Sequence, residues 1–427
     1  MKVLLLGSGG REHALAWALS QSPLCDTLYI APGNPGSHAC GVNVALDALD
    51  FEQVLEFIGA KDIGLTVVGP EQPLVAGITD YLEAKGHAVF GPSTIASQLE
   101  GSKQFAKDFM ARHNIPTAAY KVFRGDYYAE ALAYVDAHNQ YPVVLKADGL
   151  AGGKGVLIPE NREELLAGLE ELRTGSLQDA AQTLVIEEFM PGEEASVFAL
   201  CDGEHFEIMG TAQDHKRQLD GDKGPNTGGM GAYSPSPLLA EDMLNSVSET
   251  IIAPTIAGMA AEGNPYKGFL YVGLMMTSAG PKVVEYNCRF GDPECQVVIP
   301  RLRSDLLTHL VQSTRGELLG EDIVFDQQYR TTVVLVSGGY PVSYDKGFPI
   351  FGLDELEKVE AVQVFHAGTK DQDGQLCTAG GRVLNVVGTG STLQESISMA
   401  YKGLESISFE GMFYRKDIGA KGLNHVS

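Results

Sequence analysis

The chain runs to 427 residues, room for roughly three folding units at ~150 residues each, and its 31 Lys and Arg against 55 Asp and Glu leave a formal charge of −24. A surface this acidic repels phosphate backbones and anionic headgroups over a Debye length of roughly 8 Å, which makes nucleic acid and membrane surfaces poor partners. A hydrophobic share of 44% beside 20% charged residues is globular composition and argues against extended disorder, while the 50 glycines are well above the usual share.

In chain order, Val3 to Leu6 is a short apolar run followed by the glycine turn Gly7-Ser8-Gly9-Gly10 and a helical pattern from His13 to Ser20. That opening is too short for the ~7–15-residue core of a signal peptide, and no apolar run approaches the ~18 residues of a membrane span, so a cytosolic protein is expected. Apolar runs at Leu28–Ile30 and Leu65–Val68 flank a helical stretch from Phe51 to Gly59. Such alternation implies a parallel sheet with its ligand at the carboxyl edge. Ser102 can cap a helix carrying Phe105, Ala106, Phe109 and Met110 on one face, with Asn114 to close it. From near Tyr120 a small α+β insertion is expected: strand Val143–Leu145, helix Arg162–Arg173, strand Leu184–Ile186. Strands follow from Ala195 to Ile208, then a long glycine-rich loop from Asp214 to Gly231, a helix from Glu241 to Ala261, and a β pair at Gly268–Met276 and Lys282–Tyr286. Leu319–Gln328 reads as a linker, after which Thr331–Val336, Val362–Phe365 and Gly381–Val387 build a compact C-terminal sheet. The six cysteines show no CxxC or Cys/His spacing, so neither disulfides nor zinc are expected.

Several segments carry chemistry. At Gly7 to Arg11 the backbone can approach an anion, but Glu12 stands where a dinucleotide fingerprint wants Gly and Ala31-Pro32 where it wants an acid. A monophosphate beside Arg11 suits the turn better than NAD; a tight turn that holds nothing is the alternative. Lys146 to Gly155 is not a Walker A loop, since Asp148 and Gly155 replace residues that loop requires. A glycine flap with Gly152, Gly153 and Lys154 can still cover a polyphosphate, unless it is simply an exposed loop. After the next strand, Glu187-Glu188-Phe189-Met190 and Glu194 either read an adenine edge and a ribose or form an acidic surface turn. Glu285 and Asn287, two residues apart on a strand, share a face and offer hard oxygens to a magnesium ion on phosphates, or are a chance pair. The turn Arg289-Phe290-Gly291-Asp292-Pro293-Glu294 can hold a small zwitterion such as an amino acid, and Asp214-His215-Lys216-Arg217 with Gly224 to Gly231 reads as a binding loop or a solvated one. No GxSxG nucleophile elbow is present.

Together these motifs resemble the ATP-grasp superfamily, and within it the phosphoribosylamine–glycine ligase family, almost end to end. The most specific stretch is Arg289 to Gln296, supported by Gly7 to His13, Gly101-Ser102-Lys103, Asp214 to Arg217 and Gly224 to Gly231. The resemblance implies an α/β and α+β multidomain protein with an ATP-grasp fold: a Rossmann-like N-terminal phosphosugar-binding domain (1–102), a central ATP-grasp domain (103–120 and 188–325), a mobile lid (121–187) and a C-terminal α/β domain (326–427). It implies ATP-dependent joining of glycine to 5-phosphoribosylamine, the second step of purine biosynthesis, with magnesium or manganese, and we expect a monomer. Another ATP-grasp ligase or carboxylase of that pathway, or a non-catalytic adenine-nucleotide sensor, would share much of the pattern. Carried over position by position, Lys103, Lys146 and the flap residues Gly152, Gly153 and Lys154 contact ATP phosphates; Glu187, Glu188, Phe189 and Met190 frame adenine, with Glu194 on the ribose. Glu285 and Asn287 hold the metal, Asp214, Lys216, Arg289 and Asp292 serve the reaction, and Gly9, Gly10, Arg11, Glu71, Asn226 and Gly291 contact the other substrates.

Overall fold

A parallel sheet in the order β3-β2-β1-β4-β5 opens the computed structural model, which describes residues 1–150, 155–174, 182–320, 322–356 and 359–426. Its strands are β1 (Lys2–Gly7), β2 (Thr27–Pro32), β3 (Val42–Asn43), β4 (Leu65–Val68) and β5 (Val89–Phe90). Leu4 and Leu6 of β1 join one apolar cluster and Val3 and Leu5 another, so both faces of the strand are covered. That double burial is why the run is continuously apolar rather than alternating. Helix α1 (Gly10–Leu19) follows directly from the glycine turn.

The helix Lys103–Arg112 leads out of this unit, with Ser102 Oγ accepting from the Phe105 N–H at 3.1 Å as the capping signal predicts, and Asn114 taking a positive φ of 55° beyond its end. Next comes an antiparallel sheet in the order β6-β9-β7-β8, made of β6 (Tyr120–Arg124), β7 (Val143–Ala147), β8 (Val156–Leu157) and β9 (Thr183–Glu188). The helices Tyr128–His138 and Arg162–Thr174 bury Val135 and Leu169 with Leu145 and Ile186 in a core of its own.

The remaining large sheet departs from the sequence reading. It has eight strands in the order β16-β15-β10-β11-β14-β17-β21-β18, so the C-terminal strands extend the central sheet instead of forming a separate one. Its members are β10 (Glu193–Asp202), β11 (Phe206–Asp214), β14 (Gly231–Ser234), β15 (Lys267–Thr277), β16 (Gly280–Asn287), β17 (Tyr329–Val336), β18 (Val362–His366) and β21 (Arg382–Gly390). The join is β14, paired with β11 through Gln213 and Asp214 and with β17 from Gly231 to Ser234. A side chain at Gly231 would place Cβ 2.6 Å from the Thr332 carbonyl oxygen, so glycine permits that approach. The loop from Asp214 to Gly231 contains a hairpin of β12 (Arg217–Leu219) and β13 (Lys223–Asn226), and a second hairpin of β19 (Thr369–Gln372) and β20 (Gln375–Thr378) went unforeseen. The helix expected from Glu241 to Ala261 is interrupted by a π stretch at Ser248–Ile252, just before Pro254, whose missing N–H cannot continue the ladder. The predicted linker is pinned: Arg303 N–H donates to Val324 O at 2.7 Å, and the Asp326 carboxylate meets Arg303 at 2.7 Å and Arg330 at 2.9 Å. All six cysteines are free thiols, and no described helix is long and apolar enough to cross a membrane.

Candidate active site

All of these units meet around one cleft of about 800 Å³. Of the residues singled out in the sequence, Arg11, Glu71, Lys103, Lys146, Glu187, Glu188, Phe189, Met190, Glu194, Asp214, Lys216, Asn226, Glu285, Asn287, Arg289, Gly291 and Asp292 all line it. Gly152, Gly153 and Lys154 lie outside the described residues. Gly9 and Gly10 face elsewhere: Gly9 borders a smaller hollow at the edge of the parallel sheet.

At one end of the cleft, lysines converge from separate elements. Lys103, first residue of its helix, donates to Gly149 O at 2.8 Å. Lys146, near the end of β7, donates to Val284 O at 3.1 Å and stands 3.0 Å from Glu187 Oε1. Lys216 lies 2.9 Å from Glu194 Oε2 and 3.4 Å from Glu285 Oε1. Burial would raise the Glu285 carboxyl, but Lys216, Lys146 and Lys103 outweigh it and pull it down to about 2. Burial lowers Lys103, partly countered by Glu285.

The carboxylates expected to frame the nucleoside are largely engaged. Glu187 is buried between Lys146 and Lys107, whose Nζ is 3.0 Å from Oε2, so its side chain serves those ammonium groups rather than adenine. Glu188 Oε1 accepts from Lys282 at 3.3 Å and from Ala119 N–H at 3.1 Å. Phe189 and Met190 remain at the cleft wall. Asn287, in the amide orientation that satisfies both ends, donates to Tyr286 O and accepts from Arg289 Nη1, each at 2.9 Å. An ionised Glu285 with 37% of its side chain open, beside an amide oxygen on the same strand face, is a hard-oxygen donor pair suited to a divalent cation. No described cluster of three or more His, Cys, Asp or Glu residues could hold a metal alone, so phosphate oxygens and water would complete its shell.

The opposite end is a lattice of arginines and carboxylates. Arg289 Nε donates to Glu71 Oε2 at 3.1 Å and Nη2 to Glu100 Oε1 at 2.5 Å; Glu100 also accepts from Cys288 N–H at 2.7 Å. Against the cost of burial, Arg289 and Arg11 hold Glu71 down to about 2. Arg382 reaches over from β21, its Nη1 donating to Gly228 O and Asp292 O, both at 2.5 Å. Burial raises Asp214 to about 6, with Glu194 and Glu285 adding to the rise against Lys216, and burial together with Asp214 raises Glu294 to about 8.

The first glycine turn borders this lattice. Glu12 Oε2 accepts from Gly9 N–H at 2.7 Å, Glu12 Oε1 from Arg11 Nε at 2.6 Å, and Asp292 Oδ2 from Arg11 N–H at 3.4 Å. The Gly9 N–H and the Arg11 N–H and Nε thus meet carboxylates of the chain itself. Gly10 is needed for packing, because a Cβ there would sit 2.4 Å from both Asn385 Nδ2 and Gln296 Nε2.

Comparison with known proteins gives this geometry its context. Three family models match in sequence: the Phosphoribosylglycinamide synthetase N domain over residues 1–100, its ATP-grasp (A) domain over 101–295 and its C domain over 330–421. The chain belongs to the phosphoribosylglycinamide synthetase family. It is 52% identical over 419 residues to the phosphoribosylamine–glycine ligase of Mesorhizobium japonicum, covering 98% of each chain. It is 50% identical over 428 residues to that of Yersinia pestis, covering 99% of each. The crystal structure of phosphoribosylamine–glycine ligase from Thermotoga maritima superposes with a TM-score of 0.85 at 36% identity, over 98% of this chain and 100% of that one. As a synthetase of this family the protein is an ATP-grasp ligase that uses ATP with a divalent metal.

Sequence reasoning about this synthetase missed Lys107, Glu100 and Arg382 in the cleft wall. Lys107 had a signal: it stands four residues after Lys103, on the same helix face. Glu294, one of the two carboxylates of the turn read as a zwitterion site, also lines the cleft, and Arg382, distant in sequence, gave no local sign.

Proposed function

We propose that this ligase phosphorylates the glycine carboxylate with ATP and passes the resulting glycyl group to the amine of 5-phosphoribosylamine, giving glycinamide ribonucleotide, ADP and phosphate. The observation that carries the reading is the convergence of residues from Arg11 to Arg382 on a single cleft with a lysine-rich end and a carboxylate-rich end.

A carboxylate is a poor electrophile until an acyl phosphate supplies a leaving group. In this reading Lys103 and Lys146 bind the triphosphate and offset charge on the transferred phosphoryl, Phe189 and Met190 flank the base, and the 188–190 backbone reads its edge. Glu285 and Asn287 would hold magnesium or manganese, which supplies charge neutralisation across the phosphate oxygens when bound. Lys216, between Glu194 and Glu285, steadies the transferred group. Arg289 and Asp292 receive the glycine zwitterion, with Glu71, Asn226 and Gly291 lining the amine substrate's space and Arg11 completing the guanidinium wall. Asp214 is placed to take the proton the amine loses as the amide forms. Closure of the insertion 121–187 over the central unit (103–120 and 188–325), against the N-terminal (1–102) and C-terminal (326–427) units, excludes water that would hydrolyse the acyl phosphate.

The test is ADP release with glycine, bicarbonate or formate as the acid and phosphoribosylamine present. Glycine alone is expected to support turnover; turnover with bicarbonate or formate and none with glycine would replace this substrate assignment.

A further inference from the structure

A buried polar chain runs through the joint between the helix Lys103–Arg112, the β6–β9 sheet and β16. Thr117 Oγ1 donates to Val283 O at 2.7 Å and accepts from Lys107 Nζ at 2.8 Å. Lys107 Nζ is 3.0 Å from Glu187 Oε2, Glu187 Oε1 is 3.0 Å from Lys146 Nζ, and Lys146 donates to Val284 O at 3.1 Å. Both ends of the chain are thus anchored on consecutive residues of the strand that next presents Glu285. The three charged side chains are almost closed to solvent, at 3% exposure for Lys107 and Glu187 and 6% for Lys146.

Two ammonium groups on one carboxylate leave a surplus positive charge in a place where charge is costly. If Lys107 were neutral, Glu187 would be free to pair with Lys146 alone, cancelling its charge and drawing it away from Val284. With Lys107 holding one carboxylate oxygen, Lys146 keeps a fixed direction and an uncancelled share of its charge. We propose that Lys107 is a positioning residue that, through Glu187, aims the Lys146 ammonium at the phosphates of the bound nucleoside triphosphate. This rests on the nucleotide reading given above. Burial, with Lys146 nearby, lowers Lys107 to about 8 despite Glu187, which still leaves it mainly charged at neutral pH.

The test is a double-mutant cycle on the full chain, with ATP dissociation constants measured by calorimetry and melting temperatures recorded alongside. Lys107→Met is expected to weaken ATP about tenfold in the native background and less than about twofold in a Lys146→Met background, because both changes act through one node. Lys107→Arg should recover most of the loss, and the KM for glycine should stay near its native value. Equal losses in the two backgrounds, or no loss in the native one, would overturn the proposal as a general packing effect or as no effect. Should Lys107→Met fail to fold, Lys107→Gln takes its place with the same expected and contrary outcomes. A Lys146→Met variant with native ATP affinity would refute the nucleotide reading itself, whereas a weakened Lys146→Met beside an unaffected Lys107→Met refutes only the role of Lys107.

Discussion

The two ends of the cleft solve the problem of buried charge in opposite senses. At the lysine end two ammonium groups, of Lys107 and Lys146, share the single carboxylate of Glu187. At the arginine end the carboxylates of Glu71 and Glu100 both meet the guanidinium of Arg289, and Arg11 stands 3.9 Å from Glu71. The first arrangement keeps a surplus positive charge for the proposed polyphosphate, whereas the second alternates guanidinium and carboxylate groups around the space proposed for a zwitterion. The side chains differ to match, since lysine is a point charge on a flexible stem and arginine a rigid fork that fixes its partners' geometry.

The largest expected effect is on chemistry. Glu285→Ala removes the carboxylate on which Lys216, Lys146 and Lys103 converge, and glycine-dependent ADP release is expected to fall about a thousandfold or more. Near-native turnover would dissolve the division of labour between the two ends. Second is a stability effect confined to the arginine end. Arg289→Met leaves Glu71 and Glu100 without their shared cation and is expected to cost about 3–5 kcal/mol in urea unfolding, the range for breaking a buried pair by removing one partner. A loss below about 1 kcal/mol would mean that the two carboxylates find protons or water at little cost.

Third, Lys146→Ala should raise the KM for ATP about tenfold or more while changing the KM for glycine little, since it removes the charge-assisted phosphate contact proposed for one end only. Equal shifts in both constants would show that the ends are not independent. The smallest effect concerns acid. His13 and His366 meet where α1 packs on β18, the His366 N–H donating to His13 Nδ1 at 2.9 Å, and burial lowers them to about 3 and about 4 from an ordinary 6.5. Their depressed values make their contribution complete above pH 6.5 and lost as pH falls through 4 to 3. Glu71 and Glu285, both about 2 against 4.5, lose theirs only between pH 4.5 and 2. Below pH 6.5 the two histidines lower the melting temperature while Asp214 and Glu294, raised to about 6 and about 8, oppose them by taking up protons in the folded state, so the first acid limb reads the balance of the two sets. His13→Asn should flatten that first limb, and an unchanged limb would place the acid response elsewhere.

Much of the machinery was legible because it sits at the ends of short, well-signalled elements. Ser102 announces the helix that carries Lys103, and the spacing of Glu285 and Asn287 puts them on one strand face whatever the strand pairs with. Partnerships were harder to read. Glu187 and Glu194 look like free acceptors in the sequence, and only the folded chain shows lysines from other elements against them. The glycine turn before α1 reads as an anion site because its backbone suits one; that Glu12 and Asp292 meet its donors depends on contacts from one residue to about 280 residues away.

The sequence by itself determined most of the elements, the family and most residues of the cleft, because helix caps, strand periodicity and glycine turns are local consequences of backbone sterics and side-chain spacing. The tertiary structure decided how the charges pair and that one sheet runs through β14 into the C-terminal strands. Those outcomes rest on long-range pairing and on desolvation, and both depend on which distant groups the fold brings within a few ångströms.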